Sequence, residues 1–534
     1  MAPLFVGSNS DDSRIRSDRV GLAASTSNPA SADTGDVYYN STDNKLTLYN
    51  GSAWSALGGG GASVELTVSG SISDGQPVII NTDGTVGIIT MLPSDTPSIG
   101  SAVVFESAAV YRPSATFDSS NNKVVIAYRD QGNSNYGTAI VGTVSGSSIS
   151  FGSPVIFEYD DTQDISATFD STNNKVVISY RDNGNSSNGT AIVGTVSGTS
   201  ISFGSATVFE TDSTSYVSSA YDSSNGKVVV AYRDEGNSNY GKAIVGTVSG
   251  TSISFGSAVT FESATTSAIS VTFDSSNNKI VISYCDEGNS EYGTAIVGTV
   301  SGTSISFGTA VVFESAASIR TSATFDSTNN KVVIAYKDQG AGNRGTAIVG
   351  TVSGTSISFG SASVYETGNT DNMSVVYDST NQRVVIAYVD KNDSDQGKLV
   401  VGTVTGTAVT FGSPVTHETG ETELHSAAFD SSNDKVVIAY EDITNSQYGT
   451  AIVASTTSTN LTSTNFLGFS DAAYTNGQTA NIQIEGSVDD AQTGLTTAKV
   501  HYISPVNGTL STTAGTPSVS AGIAITDTKI IVKG

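Results

Sequence analysis

A single cysteine, Cys285, leaves this 534-residue chain no intramolecular disulfide and no cysteine-built metal cluster, so its stability has to come from packing. Basic residues are also few. Against 50 Asp and Glu stand 24 Lys and Arg, a formal net charge of -26 whose field repels phosphate backbones and anionic lipid. Nucleic acid is thereby excluded as a partner. No apolar run approaches the roughly 18 residues of a membrane-spanning helix, and no membrane insertion is expected. The opening MAPLFVGSNSDDSRIRSD lacks the apolar core of a secretory signal, so work outside a cell implies another export route, such as release by lysis. Amphipathic helical periodicity is missing as well. What fills the chain instead is glycine, 55 of them, with Ser, Thr, Asn and Asp, the composition of a turn-rich all-β protein. The length suggests two to four domains.

One segment, FDSSNNKVVIAY, recurs with its aspartate at Asp118, Asp170, Asp222, Asp274, Asp326, Asp378 and Asp430, always 52 residues apart. Each unit predicts four short strands, in the first unit 114–118, 123–130, 137–145 and 148–158, separated by turn-rich SSNN, QGNSNY and GS. Four-stranded units repeated in this way mark a β-propeller. The second strand carries Val124, Ile126 and Tyr128 on one face and Val125 and Ala127 on the other. A sheet apolar on both faces must be sandwiched, as radial stacking of blades achieves.

A ring also needs a seal. The seventh unit stops after its third strand (449–456), and the missing fourth strand stands ahead of the first unit as SIGSAVVFE (98–106). The closing glutamates Glu106, Glu158, Glu210, Glu262, Glu314, Glu366 and Glu418 match the seven sets of the other three strands. The expectation is an all-β fold: a seven-bladed β-propeller over 97–458 with one-plus-three strand closure, flanked by small β modules. Before it come a segment 1–57 with a hairpin, a glycine-rich linker 58–62 and a β segment 63–96; after it comes a C-terminal β module, 459–534. The NTDGTV turn of 64–90 resembles the VNGTLS region near the C-terminus. Residues 63–92 and 459–534 are therefore expected to form one β domain into which the propeller is inserted.

Seven copies in one chain compare themselves. The turns between the first and second strands, SSNNK and its variants, are nearly constant, as are the SGTS turns between the third and fourth. The fourth-to-first connections (SAAVYRP, YDDTQDI, TDSTSYV, SATTSAI, SAASIRT, TGNTDNM, TGETELH) share almost nothing, and the second-to-third loops also drift. Propeller topology puts both variable sets on one face, the pattern of a recognition surface. Neutral drift is the plainer alternative. Candidate receptor-binding residues there are Tyr111, Arg112, Tyr136, Asp160, Asp161, Tyr216, Tyr240, Tyr292, Arg320, Arg344, Asn372, His425 and Tyr448, aromatic and polar groups suited to sugars or a protein epitope. For Tyr136 and its counterparts, covering the base of the loop is the structural alternative.

The Asp118, Asp130 and Glu106 series are invariant. The Asp118 type starts a turn and suits an Asx turn. The Asp130 and Glu106 types end strands on the variable face, where hydrogen bonding is the first reading and an acidic ring holding Ca²⁺ the second. Arg129, Arg181, Arg233, Cys285, Lys337, Val389 and Glu441 share one position, and the basic ones are expected to pair with the adjacent invariant aspartate. His417 and His425 read as ordinary loop residues. No converging acid, base and nucleophile break the sevenfold pattern, so neither a catalytic centre nor a cofactor is expected.

The flanks add a resemblance. GD, YYN, DNKL and YNGSAW follow one another in 35–57, and FLGFSDAAYTNGQTANIQIEGSV begins the C-terminal tract. These strings resemble modules of tail fibres and other virion appendages of bacteriophages, especially marine phages, over about 90 residues. The resemblance implies a structural virion protein, joined to other virion or tail proteins through its N-terminal segment, extracellular after release, and binding a host-surface glycan or protein. It also implies a homotrimer, for which the sequence offers no heptad seam. A secreted or surface bacterial propeller lectin is the alternative. An architectural decoration of capsid or tail, and a polysaccharide depolymerase, are further ones.

Overall fold

The computed structural model describes residues 63–533 apart from 516, and of the preceding segment only the strand backbones Ala24–Ser25, Val37–Asn40, Lys45–Tyr49 and Trp54–Leu57. Val37–Asn40 and Lys45–Tyr49 pair antiparallel, with Asn40 opposite Lys45, which makes the hairpin. The linker at 58–62 and the residues that would give 1–57 an attachment role lie outside the described residues. The chain divides into two units, Pro93–Ser458 and a second assembled from Met1–Leu92 and Thr459–Gly534.

In the first unit, hydrogen-bonded strands follow one another until the succession returns to its start. Each second strand, such as Lys123–Asp130, pairs with the C-terminal half of the strand before it, Val103–Asp118, and with the third strand, Tyr136–Ser145. The N-terminal strand closes the ring: Val103, Val104 and Glu106 lie opposite Ala451, Thr450 and Gly449 of the last repeat.

Two details depart from the sequence reading. The fourth strand, expected over 148–158, breaks at 152–154 into Ser148–Phe151 and the start of Val155–Asp170. The chain packs closely at the break, where a Cβ on Gly152 would stand 1.9 Å from the carbonyl oxygen of Thr199 in the next repeat. The fourth-to-first connections, expected as loops, are continuous 16-residue strands like Val155–Asp170, whose N-terminal part pairs in one blade and C-terminal part in the next. Variability here is carried by extended backbone.

Three interactions hold neighbouring blades together. Apolar clusters fill the seven junctions: Val124, Ile126 and Tyr128 pack on Val437, Ala439, Ala451 and Val453, while Val125 and Ala127 pack on Val176, Ile178 and Tyr180. Burying a side chain of this size contributes about 1.5–3 kcal/mol each. Tyr128 and its six counterparts are fully buried, and each donates its hydroxyl at 2.8–3.4 Å to the closing glutamate of the preceding blade, Glu106 in the first case. Third comes a hoop of serines. Ser114 Oγ accepts the N–H of Ala167, Ser166 that of Ser219, and so on through Ser218, Ser270, Ser322 and Ser374 until Ser426 accepts the N–H of Ala115, all at 2.9–3.1 Å.

The second unit has two five-stranded sheets. In one the order is Ser63–Thr67, Thr479–Gln483, Phe466–Ser470, Pro77–Ile80, Val86–Ile88, so two strands from after the ring lie between strands from before it in one sheet. The other runs Val488–Asp489, Ile530–Val532, Ser520–Ala524, Val500–Ile503, Leu510–Ser511. Ile79, Leu461, Phe469, Ile503 and Ile530 lie in one shared core cluster.

Candidate functional site

Just before each serine of the hoop the strand carries a bulge. Tyr111 lies opposite Arg129 and Ser114 opposite Ala127, so Arg112 and Pro113 together face the single residue Tyr128, and the same slip recurs in the other six repeats. The first bulge residue is left-handed every time: Arg112, Asp164, Tyr216, Ala268, Arg320, Asn372 and Leu424 have φ between +45° and +57°. Glycine is the residue this bulge ordinarily takes, and side chains other than Asn or Asp cost roughly 1–2 kcal/mol there. None of the seven is glycine.

Six of these residues, all but Asp164, ring a depression of about 250 Å³ with Pro113, Ile269, Thr321, Met373 and His425. Its polar groups are held in place. Arg112 forms an ion pair with the buried Asp164, whose other oxygen accepts the N–H of Tyr216 at 3.1 Å. The Arg233 guanidinium lies 4.8 Å from the centre of the Tyr216 ring. Arg320, whose side chain is 43% exposed, reaches Asp371 at 3.0 Å, and Lys337 approaches the same carboxylate at 3.4 Å. These two cations hold the Asp371 carboxyl below its ordinary pKa although burial opposes them. An aromatic face, two guanidiniums, an amide and an apolar floor therefore converge on one opening.

Of the sequence candidates, Arg112, Tyr216, Arg320, Asn372 and His425 meet here, and the others do not line the depression. Tyr111 lies beneath Arg112 and Arg129, 5.5 and 5.8 Å from its ring centre. Tyr136 packs edge-on against Tyr159 at 5.6 Å. Asp160 covers Gly184, and Asp161 binds Arg129 and Asn183. Tyr240, Tyr292, Arg344 and Tyr448 each begin a third strand. Asp164, Ala268 and Leu424 were absent from the candidates; a column of six residue types in seven copies, two positions before an invariant serine, is the signal that marks them.

The basic residues of the 129 column do not pair with their invariant neighbours. Arg129 binds Asp161, Arg233 binds Glu235 and Ser215, and Lys337 approaches Asp371. Alternation along a strand sends adjacent side chains to opposite faces, which keeps Arg129 and Asp130 apart. Asp118 Oδ1 accepts the backbone N–H groups of Ser120 and Asn121, an Asx turn repeated in every copy. His417 and His425 are not loop residues. His417 fills the junction place held by Phe105, Phe157, Phe209, Phe261, Phe313 and Tyr365, and its Nε2 lies 3.1 Å from that of His425. Burial lowers the pKa of both, that of His425 to about 4. Glu441, buried beside Glu423, is pushed up to about 8, first by desolvation. Among the described residues no group of three or more His, Cys, Asp or Glu side chains is placed to hold a metal ion.

No protein-family model matches the sequence, and no curated protein matches it. Solved structures do. The BP39L lectin from Burkholderia pseudomallei aligns over 70% of this chain and 99% of its own at 9% identity, with a TM-score of 0.47. A protein of unknown function from Dyadobacter fermentans aligns over 67% and 99% at 11% identity, TM-score 0.43. AofleA from Arthrobotrys oligospora aligns over 63% and 94% at 9% identity, TM-score 0.36.

Proposed function

We propose that this protein is a non-catalytic binding protein whose propeller takes a carbohydrate of a cell surface at the axial mouth. The observation that carries the reading is the choice of residues at the seven left-handed bulges. They are Arg, Asp, Tyr, Ala, Arg, Asn and Leu, and the five other than Asp and Asn are held at a cost in stability, a set no shared backbone preference explains. Side chains retained against a conformational cost, around an opening, are retained for what they touch. A tyrosine face offers a stacking surface for a pyranose, while Arg112, Arg320 and Asn372 offer hydrogen-bond donors around it. The depression is sized for one or two sugar rings.

The test is adhesion of the labelled full-length protein to candidate host cells and to immobilised glycans. Tyr216→Ala and Arg320→Ala are expected to weaken binding at least tenfold with the melting temperature nearly unchanged. Unaltered adhesion by both variants would sink the reading. Carriage on a phage particle, as a tail fibre or similar appendage, is the setting we propose, supported by the YYN, DNKL and YNGSAW strings of 35–57. Absence of the protein from purified virions would move it to the free or cell-surface lectin setting.

A further inference from the structure

Each blade junction places three oxygen-bearing side chains together. Tyr128, Asp130 and Thr138 share one sheet face, since 128 and 130 are two apart on one strand and Thr138 lies opposite Tyr128. Glu106 of the preceding blade meets that face through the Tyr128 hydroxyl. In the third and sixth junctions the threonine is replaced by lysine. Lys242 Nζ bridges Asp234 and, at 3.4 Å, Glu210, and Lys398 Nζ reaches Asp390 at 2.5 Å. At the third junction the side chain therefore points between the two acids and one cation neutralises both; at the sixth, Lys398 pairs with Asp390 and, at 3.1 Å, with Asp393.

The other five junctions keep both acids and lose the ammonium. Among the described residues, ion pairs made by these two acid series involve only Lys242 and Lys398. The hydroxyls of Thr138, Thr190 and Thr346, each 2% exposed, have no hydrogen-bond partner, while those of Thr294 and Thr450 donate to the carbonyls of Tyr292 and Tyr448 at 3.3 and 3.5 Å. A buried aspartate and a half-buried glutamate facing each other without a counter-charge repel. Desolvation first, and repulsion by the facing glutamate after it, push Asp130, Asp182, Asp286 and Asp442 upward in pKa.

We propose that the five threonine junctions each bind a calcium ion, held by the Glu106, Asp130 and Thr138 oxygens and by their counterparts around Thr190, Thr294, Thr346 and Thr450, in the place that Lys242 and Lys398 fill with an ammonium. All the donors are hard oxygens, and a divalent charge balances both acids. Three side-chain ligands leave most of a six- to eight-oxygen shell to water, which places the affinity at about 0.1–1 mM.

The experiment uses full-length protein stripped with chelator, titrated with CaCl₂ by calorimetry and followed by thermal melting. About five ions per chain are expected, one per threonine junction, with a rise of several degrees in melting temperature. Lys242→Thr raises the stoichiometry by one, and Thr138→Lys lowers it by one and stabilises the calcium-free protein. An equal melting shift from NaCl at matched ionic strength overturns the proposal, as does a stoichiometry indifferent to these two substitutions. A melting temperature that rises on acidification from neutral pH and ignores calcium overturns it too, because the acids then share a proton.

Discussion

Four positions of the ring are left-handed in all seven repeats, and two of them are filled by opposite rules. In the turn between first and second strands, φ runs from +53° to +62°, and the residues are Asn122, Asn174, Gly226, Asn278, Asn330, Gln382 and Asp434. Most of these are the types that tolerate this conformation best. At the axial mouth the backbone is nearly the same, yet the residues are Arg, Asp, Tyr, Ala, Arg, Asn and Leu. One rim is selected for its backbone and the other for its side chains. Conformation alone does not mark a site; a conformation filled by residues that suit it poorly does.

The strongest way to sharpen that contrast is steric. Gly152→Ala drives a Cβ into a carbonyl of the next blade beside the constant turns, and is expected to cost more than about 3 kcal/mol, read as a fall in denaturant midpoint. Substitutions of the exposed Arg320 side chain should stay within about 1 kcal/mol. Comparable losses would erase the distinction between the rims.

The seventh repeat tests it by pH. His425 has a native pKa of about 4 against an ordinary 6.5, so the unfolded chain binds the extra proton and stability falls as pH drops from 6.5 towards 4. Replacing the pair by the second junction's residues, His417→Phe with His425→Ile, is expected to remove that acid-side decline from melting curves. Glu441 has the opposite sign. Its native pKa of about 8 lies above the ordinary 4.5, so its contribution is complete below 4.5 and is lost as pH rises through 8. Glu441→Gln should gain up to a few kcal/mol over the parent at pH 9 and little at pH 5.

The smallest effect is the most direct. Ala268→Gly, at the mouth and free of ion pairs, is expected to stabilise the ring by about 1 kcal/mol, whereas Asn122→Gly should change it by a few tenths. Equal responses in chemical denaturation would break the comparison.

The all-β ring was legible because a 52-residue period and the displaced strand at 98–106 force closure, and because Val125 and Ala127 back Val124, Ile126 and Tyr128. The break at 152–154 went unread although Gly152 and Pro154 mark it locally, because the apolar residues on either side were joined into one strand. The bulges hid for a different cause. A left-handed residue usually betrays itself as glycine or asparagine, and here only Asn372 does. The serine hoop was readable as an invariant column, but serine is so common in this chain that the column does not stand out. Partners of Arg129 and Arg233 were misassigned because sequence adjacency was set above strand alternation.

The ring's first and last strands lie side by side, with Val103 opposite Ala451. Tension entering through either of these strands is carried first by that one seam, and the backbone hydrogen bonds there are strained before any other interface feels the load. Ser426 crosses from this blade to the next by gripping the N–H of Ala115, so the same blade is latched on its axial side. Pulled from its ends, the ring would yield at this seam first and re-zip when the pull relaxes.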